Sequence, residues 1–233
     1  AYLYEDFGLF TTDEALADDV TKLFNSLTGY ALTHTYDKLL VAPRSMRSRF
    51  VEMIRREIDH AKQGKPAGIV AKMNSLEDAE LIELLYDASD AGVEMDFIVR
   101  GVCRLVPGKL GLSERIRVRS ILGRFLEHSR CYIFANDGQP EYYIWSADWM
   151  HRNLDARIEA ITPITSPALQ HYLQYVMEVY LKDNHQSWIC QPDGSYHKVR
   201  PQDGEPTLAS QPTLMHHTKE KLAPFPLDAF RNL

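Results

Sequence analysis

The segment Phe125-Leu-Glu-His-Ser-Arg130 sets an imidazole two residues ahead of a guanidinium at the start of a β-rich run. Residues i and i+2 of a strand share a face, so His128 and Arg130 can meet one anionic group together. Histidine titrates near neutrality and can act as nucleophile, acid or base. The planar guanidinium fork matches phosphate oxygens. The pair suits phosphoryl chemistry; a structural histidine at a strand edge is the plain alternative. Of the other histidines, His34, His151, His171, His185, His197, His216 and His217 have no comparable setting. His60-Ala-Lys62 matches a His-x-Lys string, but it lies near the end of a predicted amphipathic helix and reads as chance.

Three further stretches offer anion ligands. Arg100, followed by Gly101, ends a predicted strand, and open α/β sheets bind ligands at strand carboxyl ends. The glycine would let a phosphate approach; a surface arginine with a turn glycine is the alternative. Lys72 and Asn74 stand at another strand end, where a solvated terminus is the slightly better reading. Ser146, Asp148, Arg152 and Asn153 crowd the residues after a third strand, as phosphate donors or as a capped helix start. Arg115, Arg117, Arg119, Arg124 and Arg130 form one cationic cluster that suggests a local anion site. A second cluster, Arg44, Arg47, Arg49, Arg55 and Arg56, reads better as a solvated helix face. There is no GxxxxGK[ST], GxGxxG or HExxH string, so a nucleotide user of this sequence would hold phosphates with side chains.

Composition narrows the class. The chain has 233 residues, 45% hydrophobic and 25% charged, enough for a sizeable core without disulfides or metals. Cys103, Cys131 and Cys190 are scattered, which argues against a disulfide framework or a zinc site and favours a reducing, cytoplasmic setting. A net charge of -6 disfavours a nucleic-acid partner. No apolar run reaches the roughly 18 to 20 residues a bilayer requires. The chain opens on Ala-Tyr-Leu-Tyr without Met, from which we expect an upstream part of a longer protein.

The elements that must carry these groups follow from periodicity. Tyr2 to Phe10 reads as a strand with its turn. Asp13 to Leu27 reads as an amphipathic helix with Ala15, Leu16, Val20, Leu23 and Phe24 at helical spacing, capped by Thr12 or Asp13. A strand is expected at Lys38 to Ala42, and a helix at Ser45 to Gln63 with the stripe Met46, Phe50, Ile54 and Ile58. Next come a strand (Gly68 to Asn74), a helix (Leu76 to Ser89) and a strand (Glu94 to Arg100), a rhythm that indicates an α/β domain. Arg115 to Leu122 alternates as a half-buried strand does. Arg130 to Ala135 and Tyr142 to Ser146 flank Asn136-Asp137-Gly138 as a hairpin. A strand at Arg157 to Ile164 and a helix at Pro167 to Asp183, with Leu169, Leu173, Val176 and Tyr180 on one face, complete the pattern. Residues beyond Asn184, rich in Pro, Gly, Gln and Asp, read as an irregular tail.

Four motifs together, YEDFGLFT (Tyr4 to Thr11), FIVRGVCRL (Phe97 to Leu105), FLEHSRCYIF (Phe125 to Phe134) and SADWMHRNLDARIEAITP (Ser146 to Pro163), resemble the bacterial polyphosphate kinases, a family with a phospholipase D-like fold. The similarity runs from about Tyr2 to about Asp183, in the family's motif order. It implies an α/β/α lobe with a mixed, largely parallel sheet. Residues 1–37 would end a first phospholipase D-like lobe and its linking helix, 38–184 would form the second lobe, and 185–233 the tail. The implied activity is reversible transfer of the terminal phosphate of ATP to inorganic polyphosphate, with magnesium, through a phosphohistidine. By motif, Tyr4, Arg100 and His128 match the family's ATP-site tyrosine, arginine and second-lobe histidine. The histidine that carries the phosphate would lie upstream of Tyr4, outside this chain, as would the magnesium-site residues. ATP, ADP, polyphosphate, the missing upstream part and a second copy of the chain are the implied partners. The implied setting is cytoplasmic, with a peripheral place at the inner membrane left open.

Two rivals differ in class. A phospholipase D-type phosphodiesterase wants His-x-Lys, then Asp, then Gly-Ser-x-Asn; here Arg130, Ala135, Trp145 and Asp148 stand at those positions. A non-catalytic polyphosphate-binding module is the other, and fits the chain as an isolated fragment.

Overall fold

The computed structural model describes residues 3–29 and 35–219. His34 and residues 220–233 therefore lie outside the described residues. A nine-stranded mixed sheet organises the chain. Its strands are β2 (Leu40–Ala42), β3 (Gly68–Met73), β4 (Glu94–Val99), β5 (Ile116–Ile121), β7 (Arg130–Phe134), β8 (Glu141–Trp145), β9 (Glu159–Ile164), β10 (Ser187–Cys190) and β11 (Tyr196–Lys198). Their spatial order is β11-β10-β5-β4-β3-β7-β8-β9-β2. A separate two-residue ladder pairs β1 (Tyr4–Glu5) with β6 (Leu126–Glu127) in parallel. The Tyr2 to Phe10 strand is thus shorter than its composition suggests.

The helices are α1 (Glu14–Leu27), α2 (Met46–Lys62), α3 (Ala79–Ala91), α4 (Pro167–Leu181) and α5 (Ser210–Lys219). Alternation along the strands sorts the core into two faces. Met95, Phe97 and Val99 of β4 and Tyr132 and Phe134 of β7 join the cluster under α2 and α3. Ile98, Cys131 and Ile133, one position out of phase, join the cluster under α4. The result is helix, sheet, helix. The α2 stripe of Met46, Phe50, Ile54 and Ile58 is buried as its spacing predicts. Of the apolar residues of α1 only Leu16 is buried, against Leu39 and Val41, while Val20 and Phe24 stay exposed. Asp13 caps that helix, accepting from the Leu16 amide at 2.9 Å. Asp19 fixes it to the chain ahead of β2 by accepting from the amides of Asp37, Lys38 and Leu39.

Two expectations change. Within the large sheet, parallel pairing is confined to β3, β4 and β5; β7 enters antiparallel to β3, and every other contact in that sheet is antiparallel. The β7–β8 hairpin accounts for one of these pairings, because a short connection joins antiparallel neighbours. Nor is the segment after Asn184 irregular. β10 pairs with β5, with Trp188 opposite Ser120, and β11 pairs with β10. Asp183 holds the junction, its carboxylate accepting from the amides of His185, Gln186, Ser187 and Ser210. The signal was present: Pro192-Asp193-Gly194 between two short apolar runs is turn chemistry between hairpin strands.

Candidate functional site

Because β7 runs antiparallel to β3, its first residues lie at the carboxyl end of β3. Lys72 faces Cys131 across that ladder, and Trp145 at the end of β8 faces Arg130. The carboxyl ends of β3, β4 and β8 and the start of β7 therefore share one rim, which gathers Asn74, Arg100, Arg130 and Asp148.

There His128 and Arg130 meet. Arg130 Nη1 donates to the His128 carbonyl at 2.8 Å and lies 3.3 and 3.2 Å from Nδ1 and Nε2 of its ring. The Nδ1 atom is 2.8 Å from Asp6 Oδ2. Asp6 thus fixes the orientation of the ring from its Nδ1 side. The Tyr4 ring meets the imidazole edge-on, with centroids 5.2 Å apart.

Arg130, Asp148 and Asn74 are all more than nine-tenths buried. Asp148 Oδ1 accepts from Arg130 Nε at 3.2 Å and from the Asn74 amide at 2.8 Å. Asn74 Oδ1 in turn accepts from Arg100 Nε. A continuous chain of contacts thus runs Arg100, Asn74, Asp148, Arg130, His128. Burial, and then the neighbouring Arg130 cation, push the Arg100 guanidinium below its ordinary pKa. An arginine does not lose its proton in a protein, so this is a cation short of negative charge, a cost that a bound anion relieves. A pocket of about 290 Å³ opens beside Arg100, lined also by Leu122, Arg124, Phe125 and Glu127.

The remaining expected ligands are elsewhere. Lys72 is buried and cannot reach a phosphate: its ammonium lies 2.7 Å from Glu5 and 3.0 Å from Glu127. Ser146 and Asn153 both donate to Glu159, Asn153 at 2.9 Å, away from the arginines. Arg152 is exposed on a helical turn. Gly101 is a glycine for want of space toward its neighbouring backbone. A Cβ there would stand 2.7 Å from the Asn74 carbonyl, so the glycine serves backbone packing. Arg115 and Arg117 are taken by Glu94 and Asp96, and Arg119 by the Leu181 carbonyl. That cluster therefore gives no single anion site. In the second cluster Arg47 bridges Asp78, Glu80 and Asp155. The geometry adds Asp6, Glu5 and Ser129, which the sequence reading had not assigned; two acidic residues beside Tyr4 were the only sign.

Residues 39–211 match a family model described as polyphosphate kinase C-terminal domain 2. A polyphosphate kinase of Thermosynechococcus vestitus is 55% identical over 218 residues, which cover 94% of this chain and 30% of that protein. One from Pseudomonas aeruginosa is 48% identical over 223 residues, 96% of this chain and 32% of that protein. The crystal structure of polyphosphate kinase from Porphyromonas gingivalis matches at a TM-score of 0.86 and 37% identity, covering 91% of this chain and 32% of that one. The chain spans less than a third of the length of these relatives. No helix among the described residues is long and apolar enough to cross a membrane.

Proposed function

The chain belongs to the polyphosphate kinase family, and from that membership we propose that it forms one wall of a site for reversible phosphoryl transfer between ATP and inorganic polyphosphate. The observation that carries the reading is the rim chain from His128 through Arg130, Asp148 and Asn74 to Arg100, which sets two guanidinium groups around one carboxylate. The reaction proceeds in two displacements. A histidine nitrogen supplied by the upstream part of the parent protein attacks the terminal phosphorus of ATP; an N–P bond forms, the bridging O–P bond breaks and ADP leaves. A terminal oxygen of polyphosphate then attacks that phosphorus and the N–P bond breaks. Arg100 and Arg130 neutralise the charge that spreads over the transferred oxygens. His128 gives a hydrogen bond or proton to the leaving or attacking oxygen, and Tyr4 packs against the nucleotide phosphates.

Magnesium belongs to the implied chemistry, but the residues beside His128 do not fit it. Asp6 is engaged by His128, and Glu5 by Lys72 and Ser129. Among the described residues, neither acidic cluster elsewhere is open to an ion, since Arg47 lies among Asp78, His151 and Asp155, and Lys22 among Asp18, Asp19 and Asp37. No step here runs through the metal. The intracellular setting and self-association belong to the same proposal.

The test is His128→Ala in the parent enzyme. Synthesis of polyphosphate from ATP should fall by about 100-fold or more, with the circular dichroism spectrum and melting temperature preserved. A variant that keeps near-normal rates removes the catalytic role.

A further inference from the structure

Lys72 is 1% exposed, so its amine lies inside the fold. Its ammonium lies 2.7 Å from Glu5 Oε1, 3.0 Å from Glu127 Oε2, 2.8 Å from Ser129 Oγ and 3.0 Å from the Ser129 carbonyl. The Tyr180 ring closes the remaining side, 5.0 Å from the nitrogen. Taking such a group from water is costly unless its partners are closely set, so the lysine and the groups around it constrain one another.

What it holds is the seam next to His128. Glu5 also accepts from the Ser129 amide at 3.0 Å and from the Ser129 hydroxyl at 2.7 Å. Burial opposes the Glu5 charge, but Lys72 and Ser129 outweigh it and keep the carboxyl below its ordinary pKa. Side chains alternate along an extended segment. Glu5 turns inward to Lys72 and Ser129, while Tyr4 and Asp6, on either side of it, turn to His128. The ladder that joins the two segments has only two residue pairs, Tyr4 with Leu126 and Glu5 with Glu127. So short a ladder cannot hold its own register. A slip of one residue would exchange the faces, bringing Glu5 to the imidazole and turning Tyr4 and Asp6 inward.

We propose that Lys72 is a positioning residue that sets the register of residues 4–6 against 126–129, and so holds the Tyr4 ring and the Asp6 carboxylate on His128. Lys72 acts through Glu5 and Ser129 and touches no phosphate. The consequence for rate rests on the phosphotransfer reading; the consequence for register does not.

Two measurements test it. In the 233-residue chain, Lys72→Met keeps the side chain's length and removes its charge. The Ser129 amide should then exchange with deuterated solvent at least about tenfold faster, while Phe97 and Val118 in the central strands keep their protection. In the parent enzyme the same substitution should lower kcat at least about tenfold by misplacing the site. Glu5→Ala should do the same, whereas Glu5→Gln, which keeps an acceptor for Ser129, should stay within about threefold of the unaltered enzyme. Should Lys72→Met fail to fold, the Glu5 pair decides: a gap between Ala and Gln supports the proposal, and equal rates overturn it. A slow Lys72→Met enzyme whose Ser129 amide stays protected also overturns it, since the lysine would then act elsewhere. If His128→Ala leaves the rate intact, the phosphotransfer reading fails, and Ser129 exchange still decides the register.

Discussion

Asp148 accepts from Arg130 Nε at 3.2 Å, and both side chains are only 9% exposed. This carboxylate is the counter-charge between two cations, because the Asn74 amide it also holds is next to the side chain that grips Arg100. Removing it leaves buried positive charge uncompensated. Asp148→Ala should lower stability by about 3 kcal/mol, measured by urea denaturation of the chain. A loss below about 1 kcal/mol would mean that the guanidinium groups find other partners or water.

Gly101 tests a different constraint. Its amide donates to the Asn74 carbonyl at 2.7 Å, and an added Cβ would be 2.7 Å from that same oxygen. Its φ is not positive, so space decides the residue type. Gly101→Ala should push the Asn74 backbone aside and cost about 1–3 kcal/mol by overpacking, seen as a lower melting temperature. It should also loosen Arg100, and the parent enzyme should need more ATP for half-maximal rate.

The Arg47 hub sets the response to acid. Burial works against the Asp78 charge, but the Arg47 hydrogen bond outweighs it and keeps the carboxyl below its ordinary 3.8. For Asp155 the Arg47 hydrogen bond is the leading cause of the same shift. A carboxyl depressed in the folded state binds its proton more readily when unfolded. Its contribution is therefore full above the unfolded pKa, near 3.8, and is lost as pH falls through the lower folded value. Asp155→Asn should flatten the fall of stability below about pH 4 and leave its shape above that pH unchanged. Arg47→Met should cost about 2 kcal/mol at neutral pH, by chemical denaturation.

The segment after Asn184 is part of the body of the fold. Gln211 accepts from the Phe125 amide at 2.9 Å and donates to the Phe125 carbonyl at 2.8 Å and to Glu127 at 2.6 Å. Gln211→Ala should cost about 2 kcal/mol, since it strips partners from buried groups. A chain ended at Asn184 exposes the edge of β5. Such open edges template association, and light scattering should record aggregation that the full chain does not show.

Periodic segments were legible because their patterns are local. The α2 stripe and the β7–β8 hairpin stand where spacing and turn chemistry put them, each within a residue or two. The His128 and Arg130 pair was legible for the same reason, two positions on one extended face. The sheet's direction was harder to read, because whether β7 joins β3 parallel or antiparallel depends on contacts across some 60 residues of sequence. Short strands in a polar segment were missed because their pairing, more than their composition, makes them strands.

The sequence by itself determined the α/β/α layering, the family, and the imidazole and guanidinium that face one another at 128 and 130. Only the tertiary structure decided the partner of each charge. Glu5 meets Ser129 from 124 residues away, and that contact makes Lys72 an internal strut where its strand-end position had suggested a phosphate ligand. Periodicity is written in neighbouring residues, whereas the electrostatic state of a buried group depends on whatever the fold brings within a few ångströms of it.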